Sequence, residues 1–344
     1  MVLRGVRTAI LIAGAGPAGC AVALEALAHG FSVALCDATR VSRPAHLGEI
    51  FNSQTRFPGS VEPGAILADG RHHRDSESFV HWGRPGMGLT SNHSVEASEA
   101  PWHLDKQAFT SALQNEVASR GGLVLLGTRV IGVERAGDVW LVRTSRGAIE
   151  SSFLVDATGR VAAIACKLGA RRLGVDRLTA TTISLPAKPR VQRMIEAMEN
   201  GWWYCASHPA LGIAATYFTD NDLRCDVASA LEQSRFTKIF VAGKNAASAF
   251  CPRVLAAHTS LLLPVAGQGW CAVGDAAFSC DPLSSSGIEN AFRSAEWAIE
   301  AVRCGSTDAY ARQISQDFER YLNERQRVYS AANREGEFWR RRVV

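Results

Sequence analysis

The sequence predicts an α/β fold that begins with a parallel sheet, and three features of its first forty residues indicate this. Thr8–Ala13 is a short apolar run without alternation, which is typical of a strand buried on both faces. A G-x-G-x-x-G turn and a small-residue helix follow over residues 14–29, and a second apolar run, Phe31–Cys36, ends at Asp37. Strand, glycine turn, helix, strand and acid in this order predict a Rossmann-like dinucleotide-binding unit.

Each small residue of the glycine turn has a physical reason to be small. Gly14 permits the tight turn, Gly16 lets the backbone approach a pyrophosphate, and Gly19 lets the helix pack closely on the strand. Ala18 lies between them, at a helix N-terminus whose free N–H groups favour phosphate. Asp37 is placed to accept hydrogen bonds from ribose hydroxyls, and its charge disfavours a 2′-phosphate. The expected ligand is therefore FAD or NAD rather than NADP.

Composition and charge exclude several classes of protein. The 344 residues carry a net charge of +4 and are 47% hydrophobic, which excludes intrinsic disorder and predicts about two domains. Nine scattered cysteines without a C-x-x-C pair argue against a disulfide framework or a metal site. Residues 320–344 account for the excess positive charge, which weakens a nucleic-acid interpretation. The apolar start is too short and glycine-rich for a signal peptide or membrane span, so we expect a cytoplasmic protein without membrane contact.

Two later segments distinguish FAD from NAD. Residues 153–160 predict a short strand that leads into a D-A-T-G-R turn at Asp156, and residues 270–277 predict another strand that ends in Gly274-Asp275. D-P-L-S-S-S-G-I follows at 281–288, before a predicted helix over 289–303. Each turn alone is ambiguous. Together, in this order, they resemble the FAD-dependent monooxygenases of the aromatic-hydroxylase and tryptophan-halogenase-like superfamily.

This resemblance implies a fold and a set of cofactor contacts. It implies a Rossmann-like FAD-binding domain of the glutathione-reductase and aromatic-hydroxylase type, with an inserted β-rich α+β substrate domain. The FAD domain would comprise 1–50, 90–168 and 262–344 with a C-terminal helical extension, and the substrate domain 51–89 and 169–261. Asp275 would hold the ribityl chain, and the helix start near Pro282 would point at the N1/O2 edge of the flavin. The implied cofactor contacts are Gly14, Gly16, Ala18, Gly19, Asp37, Lys106, Asp156, Gly274, Asp275, Pro282, Ser285, Gly287 and Ile288.

Lys106 departs from the pattern of this superfamily. Residues 104–113 have helical spacing with Asp105 as an N-cap, and the relatives usually carry Arg where Lys106 stands. Lysine keeps the charge but cannot fork to two acceptors. A contact with FAD and a freely solvated first-turn lysine therefore both remain open.

Three more specific sequence motifs resemble one group within this superfamily. G-W-W-Y at 201–204, T-D-x-D-L at 219–223 and a final F-W-R-R-R at 338–342 resemble the LodB, GoxB and QhpG type of flavoprotein, which matures peptide-derived quinone cofactors. Flavin-dependent halogenases share the G-E pair, here Gly48-Glu49, but they need a catalytic lysine after it. No lysine occurs from Gly48 through Asp105, which argues against halogenation.

The resemblance implies a reaction and its partners. A C4a-hydroperoxyflavin would oxygenate an electron-rich aromatic, such as a tryptophan side chain in a partner polypeptide during quinone cofactor maturation. A tailoring monooxygenase or oxidase for a small aromatic natural product is the first alternative, and a flavin-dependent prenyl reductase is the second. Only one dinucleotide fingerprint is present, so electrons would come from transiently docked NAD(P)H or a separate flavin reductase.

The candidate substrate and catalytic residues each have two interpretations. Trp202, Trp203 and Tyr204 are either core aromatics or a hydrophobic wall beside the flavin. His208, His258, Glu49 and, less favoured, His81 are candidates for a general base, although a structural role competes for each. The F-W-R-R-R segment is either a frayed cationic tail or a docking element, and 83–99 is the expected mobile loop.

Overall fold

A computed structural model of the chain shows two large β-sheets with helices packed against them. The structure describes residues 3–40, 48–52, 54–68, 70–75, 77–83, 90–93, 100–185, 192–208, 212–223, 226–241 and 253–343. The strands are β1 (Leu3–Ala13), β2 (Val33–Asp37), β3 (Ile50–Phe51), β4 (His73–Arg74), β5 (Glu77–His81), β6 (Thr90–His93), β7 (Trp102–His103), β8 (Leu123–Leu126), β9 (Val130–Ala136), β10 (Val139–Thr144), β11 (Gly147–Asp156), β12 (Arg171–Gly174), β13 (Leu178–Leu185), β14 (Gln192–Met198), β15 (Gly201–His208), β16 (Gly212–Asp220), β17 (Arg253–Ala256), β18 (Ser260–Leu263), β19 (Ala266–Gly267), β20 (Trp270–Ala272) and β21 (Phe278–Ser279). The helices are α1 (Pro17–Ala28), α2 (Pro63–Leu67), α3 (Lys106–Ser119), α4 (Ala163–Lys167), α5 (Val227–Gln233), α6 (Thr237–Val241), α7 (Gly287–Cys304), α8 (Asp308–Ala331) and α9 (Glu337–Val343).

The first sheet carries the predicted nucleotide-binding unit. Its order is β19-β20-β11-β1-β2-β8, and β20, β11, β1, β2 and β8 are parallel, while β9 and β10 form an antiparallel ribbon beside β11. Ala13 is in register with both Cys36 and Asp156, and Asp156 with Ala272. The carboxyl ends of four neighbouring strands therefore meet at one edge, where open α/β sheets bind their ligands.

The second sheet has the order β17-β13-β16-β15-β14-β5-β6. One face packs against α5 and α6 through a cluster that includes Trp203, Cys205 and Tyr217. The opposite face carries Trp202 and Phe218, which pack against the C-terminal helices. Because successive strand residues alternate in direction, the two neighbouring tryptophans serve different sides of the sheet.

The predicted α/β class is confirmed, with small shifts at element ends. β2 begins at Val33 rather than at Phe31, and α1 begins at Pro17, inside the glycine turn, because proline suits the first helical turn. Asp105 caps α3 as expected, accepting a hydrogen bond from the backbone N–H of Ala108 at 2.9 Å. Among the helices of the described residues, none combines the length and apolar character that crossing a membrane requires.

The division into domains stays a prediction. Its boundary at residue 90 falls within the second sheet, because β6 pairs with β5 there. Of the loop predicted to be mobile, 90–93 forms β6, and residues 84–89 and 94–99 lie outside the described residues.

The F-W-R-R-R segment at 338–342, predicted to be a frayed tail or a docking element, lies in helix α9. Phe338, Trp339 and Arg342 are buried in α9 against the second sheet. The indole N–H of Trp339 is shared between the carbonyls of Met198 and Glu199, at 3.0 and 2.9 Å. The segment is therefore not a frayed tail, because its buried residues belong to the folded core; Arg340 and Arg341 are exposed, and a docking role stays a prediction.

Candidate functional site

A cavity of about 300 Å³ opens where the carboxyl ends of the first sheet face the second sheet. The glycine turn, the D-A-T-G-R turn, the G-D turn and the 281–288 loop all contribute to its lining, as do Trp202, Tyr204 and Phe218. Of the residues predicted as cofactor contacts, those lining this cavity are Gly16, Ala18, Lys106, Asp275, Pro282, Ser285, Gly287 and Ile288. The separated motifs of the sequence therefore meet around one space.

The glycines of the first turn show which of them pack and which leave room. A Cβ on Gly14, whose φ is +110°, would lie 2.2 Å from the Ala157 carbonyl oxygen, and one on Gly19 would lie 1.8 Å from the Gly14 oxygen. A Cβ on Gly16 would meet nothing within 4 Å. Gly14 and Gly19 are thus required by packing, whereas Gly16 leaves an open approach to the backbone at the start of α1, as a pyrophosphate needs.

Two acids predicted as cofactor contacts organise turns and do not line the cavity. Asp156 is fully buried, and its carboxylate accepts four hydrogen bonds: two from Thr158, and one each from the backbone N–H groups of Ile164 and Ala165. These bonds hold the D-A-T-G-R turn and start α4, so the carboxylate is occupied within the protein, and a direct contact of Asp156 with FAD stays a prediction. Asp37 accepts from the Ala15 N–H at 2.8 Å, so it holds the glycine turn as well, and its contact with ribose stays a prediction.

Lys106 and Glu49 form an ion pair in the cavity. The Lys106 Nζ lies 2.9 Å from Glu49 Oε1, and the charge of Glu49 raises the pKa of the lysine, which burial alone would lower. The freely solvated lysine is therefore excluded. Glu49 Oε2 is buried and has no hydrogen-bond partner among the described residues. A buried carboxylate oxygen without a donor is costly, so Glu49 Oε2 is a candidate acceptor for a bound molecule.

Arg160 and Asp275 form a second charged pair. The Arg160 Nε lies 3.5 Å from Asp275 Oδ2, and the Asp275 side chain is 43% exposed. Arg160 also donates to the carbonyl of Cys280 at 2.9 Å, which joins the D-A-T-G-R turn to the 281–288 loop. Arg160 is not among the cofactor contacts predicted above, although its place directly after D-A-T-G is a signal for such a role.

The 281–288 loop presents a helix start to the cavity. Ser286 is the N-cap of α7 and makes no side-chain capping bond, and Ser285 has a positive φ of 49°. Free N–H groups at a helix start favour negative charge. Gly274 lets the G-D turn approach the start of α1 closely, because a Cβ on Gly274 would lie 2.7 Å from the Cβ of Ala18.

The three aromatic residues predicted as a wall beside the flavin or as core residues, all in β15, do not share one role. Trp202 stacks on Phe218 with ring centroids 4.0 Å apart, and Tyr204 donates its hydroxyl to the Gly48 carbonyl at 3.0 Å; burial raises the pKa of that hydroxyl. Both Trp202 and Tyr204 line the cavity. Trp203 is fully buried on the other face, where its indole N–H reaches the Ala230 carbonyl at 3.4 Å. Trp203 is therefore a core residue.

The candidate bases lie in different places. Glu49 lines the cavity, whereas His258 does not, and burial together with nearby arginines lowers the pKa of His258. The side chain of His208 lies outside the described residues. His81 packs on the Phe236 ring, 4.9 Å between centroids, beside a different cavity. In the described part of the chain, no group of His, Cys, Asp and Glu side chains is arranged to hold a metal ion.

Comparison with known proteins agrees with the geometry. The FAD-dependent oxidoreductase LodB of Marinomonas mediterranea is 28% identical over 96% of this chain and 96% of its own length. The flavin-dependent halogenase CmlS superposes with a TM-score of 0.82 at 20% identity, over 99% of this chain and 68% of its own. The peptidyl tryptophan dihydroxylase QhpG gives a TM-score of 0.75 at 22% identity, over 98% and 79% of the two chains. Residues 85–283 match the FAD dependent oxidoreductase (DAO) family, and the protein therefore belongs to this family of FAD-dependent enzymes.

Proposed function

We propose that this protein is an FAD-dependent monooxygenase that oxygenates an electron-rich aromatic ring, with a tryptophan side chain of a polypeptide as its substrate. The observation that carries the proposal is the shared cavity, which the nucleotide-binding turns line on one side and Trp202, Tyr204 and Phe218 line on the other. An indole packed against such a wall would be oriented and shielded from water.

The reaction balances with one reductant. One O2 and one NAD(P)H with a proton yield the hydroxylated ring, water and NAD(P)+, with electrons delivered directly or by a separate flavin reductase. Bound FAD, when reduced, supplies the activation of O2. The free helix start at Gly287 would stabilise negative charge that develops on the flavin edge. Glu49 Oε2 would accept the substrate N–H or take up the proton that the ring releases, with Lys106 fixing the orientation of its carboxylate.

One relative supports a polypeptide substrate. QhpG is described as a peptidyl tryptophan dihydroxylase that is essential for tryptophylquinone cofactor biogenesis, and its fold covers nearly all of this chain. LodB matches over 96% of this chain, and its description as an FAD-dependent oxidoreductase supports the flavin chemistry. A flavin halogenase shares the fold too, yet the one lysine that lines the cavity among the described residues, Lys106, is held in an ion pair by Glu49.

The proposal is tested by mass spectrometry. The purified holoenzyme, a flavin reductase, NADH and ¹⁸O2 are incubated with tryptophan-containing peptides, with the same peptides carrying Phe in place of Trp, and with free tryptophan, in the presence of bromide. We expect labelled oxygen on the tryptophan of a peptide and no bromine. Oxygen on free tryptophan alone would favour the small-molecule alternative. Bromination, or turnover without oxygen incorporation, would overturn the proposal.

Two neighbouring tryptophans provide a matched pair of variants. Trp202→Phe changes the wall of the cavity, and we expect it to lower the oxygenation rate at saturating flavin. Trp203→Phe changes the opposite face of the same strand, so it should lower stability but leave the rate per folded molecule near that of the wild type. Equal loss of rate in both variants would contradict the role assigned to the wall.

A further inference from the structure

Three side chains on one face of α8 contact the start of the 281–288 loop, the flavin-facing loop. Tyr321, Arg325 and Tyr329 are spaced by four residues and therefore lie on one side of the helix. All three reach Asp281, which is 1% exposed and lines the flavin cavity. Helix α8 thus holds the residue from which the 281–288 loop begins.

The contacts of Asp281 are short and use most of its polar atoms. Its backbone N–H donates to Tyr321 Oη at 2.6 Å, and its carboxylate Oδ2 accepts from Tyr329 Oη at 2.6 Å. The Arg325 Nε lies 3.6 Å from the same oxygen. The other carboxylate oxygen accepts from the Leu283 N–H at 3.0 Å, within the loop itself. The position of Asp281 therefore fixes the turn that follows it.

The hydroxyl of Tyr329 has a second partner in the substrate-side sheet. The Trp202 Nε1–H donates to Tyr329 Oη at 3.1 Å. The hydroxyl therefore accepts one hydrogen bond from the aromatic wall and donates one to the flavin-facing loop. The ring is buried as well, and the Trp82 and Trp339 rings lie 5.8 and 6.0 Å away. Because the ring is held in place by this packing, the hydroxyl stays directed at these two hydrogen-bond partners.

We propose that Tyr329 is a positioning residue, whose hydroxyl couples the aromatic wall at Trp202 to the flavin-facing loop at Asp281. The position of the wall then sets the position of the loop before FAD binds, so that less ordering is required on binding. This inference deepens the proposed function, since it concerns the same cavity, but it makes a claim about FAD binding that needs no substrate.

Tyr329→Phe removes the hydroxyl and keeps the ring. The variant leaves a buried indole N–H and a buried carboxylate oxygen without their shared partner, so the loop is held less firmly. We expect an approximately tenfold rise in the FAD dissociation constant, which corresponds to about 1.4 kcal/mol. We also expect a changed visible spectrum of the bound flavin. The dissociation constant and the spectrum are both measured after FAD is added back to the apoprotein, without substrate.

Tyr310→Phe is the matched control. Tyr310 is also a buried tyrosine of α8, but its hydroxyl donates to the Ala272 carbonyl in the first sheet and does not line the cavity. It should lower stability while leaving the FAD dissociation constant within about twofold of the wild type. A merely structural role for Tyr329 predicts the same behaviour in both variants.

A second variant keeps the test informative if Tyr329→Phe does not fold. Asp281→Asn preserves the shape of the side chain and weakens the acceptor for Tyr329, so it should also raise the FAD dissociation constant. In the double variant, the two effects should be less than additive. The proposal is overturned if the folded variants bind FAD as the wild type does, or if Tyr310→Phe weakens binding equally. Since substrate is absent throughout, that failure is separable from failure of the oxygenation proposal.

Discussion

Asp220→Ala should lower the free energy of unfolding by about 3 to 5 kcal/mol, as expected when one partner of a buried ion pair is removed. Asp220 ends β16 with a side chain that is 2% exposed, and it accepts hydrogen bonds from Arg342 of α9, whose side chain is fully buried. The guanidinium also has the Phe338 carbonyl at 2.8 Å, the Phe338 ring face at 3.7 Å and the Tyr329 ring at 5.3 Å, none of which carries a full negative charge. These contacts leave most of its charge uncompensated once the carboxylate is gone.

Arg342→Met should cost less, because Asp220 keeps a second cation. Arg341 Nη1 lies 3.0 Å from the same carboxylate, so the remaining charge is still paired. The double variant should therefore be about as stable as Arg342→Met alone, so the coupling between the two sites should equal in size the loss caused by Asp220→Ala alone, about 3 to 5 kcal/mol. The comparison separates the net value of the pair from the cost of leaving one charge alone.

Urea unfolding followed by circular dichroism measures these losses. FAD is kept saturating and at one concentration, because bound ligand adds to apparent stability. Asp222→Ala is the control, since this carboxylate pairs with Arg341, one of the two arginines that contact Asp220, but is partly exposed and should matter much less. If Asp220→Ala loses no more stability than Asp222→Ala, the reasoning from burial is refuted.

Three further predictions concern the turn, a histidine and the thiols. Gly16→Val should weaken FAD binding at least about tenfold and spare the apoprotein, whereas Gly14→Ala should destabilise the apoprotein by about 1–3 kcal/mol; equilibrium dialysis and urea midpoints check both. Burial and two nearby arginines lower the pKa of His258 below 6.5, so the unfolded chain takes up this proton first. Stability should therefore fall as the pH drops from 6.5 through the lower pKa of the folded state, and His258→Asn should remove that part of the fall in urea midpoints measured between about pH 5 and 8. Iodoacetamide should label the exposed Cys166 in the native protein and spare Cys36, whose pKa burial raises to about 12. Peptide mass spectrometry identifies the labelled cysteine, and labelling of Cys36 rather than Cys166 would contradict this prediction.

The nucleotide-binding half of the site was predictable because its signals are local. Strand, glycine turn and helix follow each other within thirty residues, and the register of parallel strands then brings the later turns to the same edge. The glycines had to be small for reasons that a single turn contains. Even so, Gly16 alone of the three motif glycines lines the cavity, while Gly14 and Gly19 are required for packing.

The remaining features depend on partners distant in the chain. Asp156 was predicted to contact the cofactor, but nearby backbone N–H groups and the Thr158 hydroxyl donate four hydrogen bonds to its carboxylate. The difference between Trp202 and Trp203 follows from strand alternation once the buried faces of the sheet are known, and the sequence alone does not say which face is which. The pairing of Tyr329 with Asp281 joins residues 48 positions apart, and no local pattern signals it.

The strings that carried the family resemblance are mostly used for structure. The T-D-x-D segment supplies Asp220, and the F-W-R-R-R segment supplies Arg342 that pairs with it. Trp339 of the same segment binds the carbonyls just before the G-W-W-Y strand. These strings therefore record how α9 is fastened to the second sheet, and they carry little information about the substrate. Within G-W-W-Y, only Trp202 and Tyr204 are on the cavity side among the residues described. A relative that keeps the fastening strings but changes the cavity-facing residues of β15 and β16 is expected to keep the fold and the flavin and to accept a different aromatic substrate.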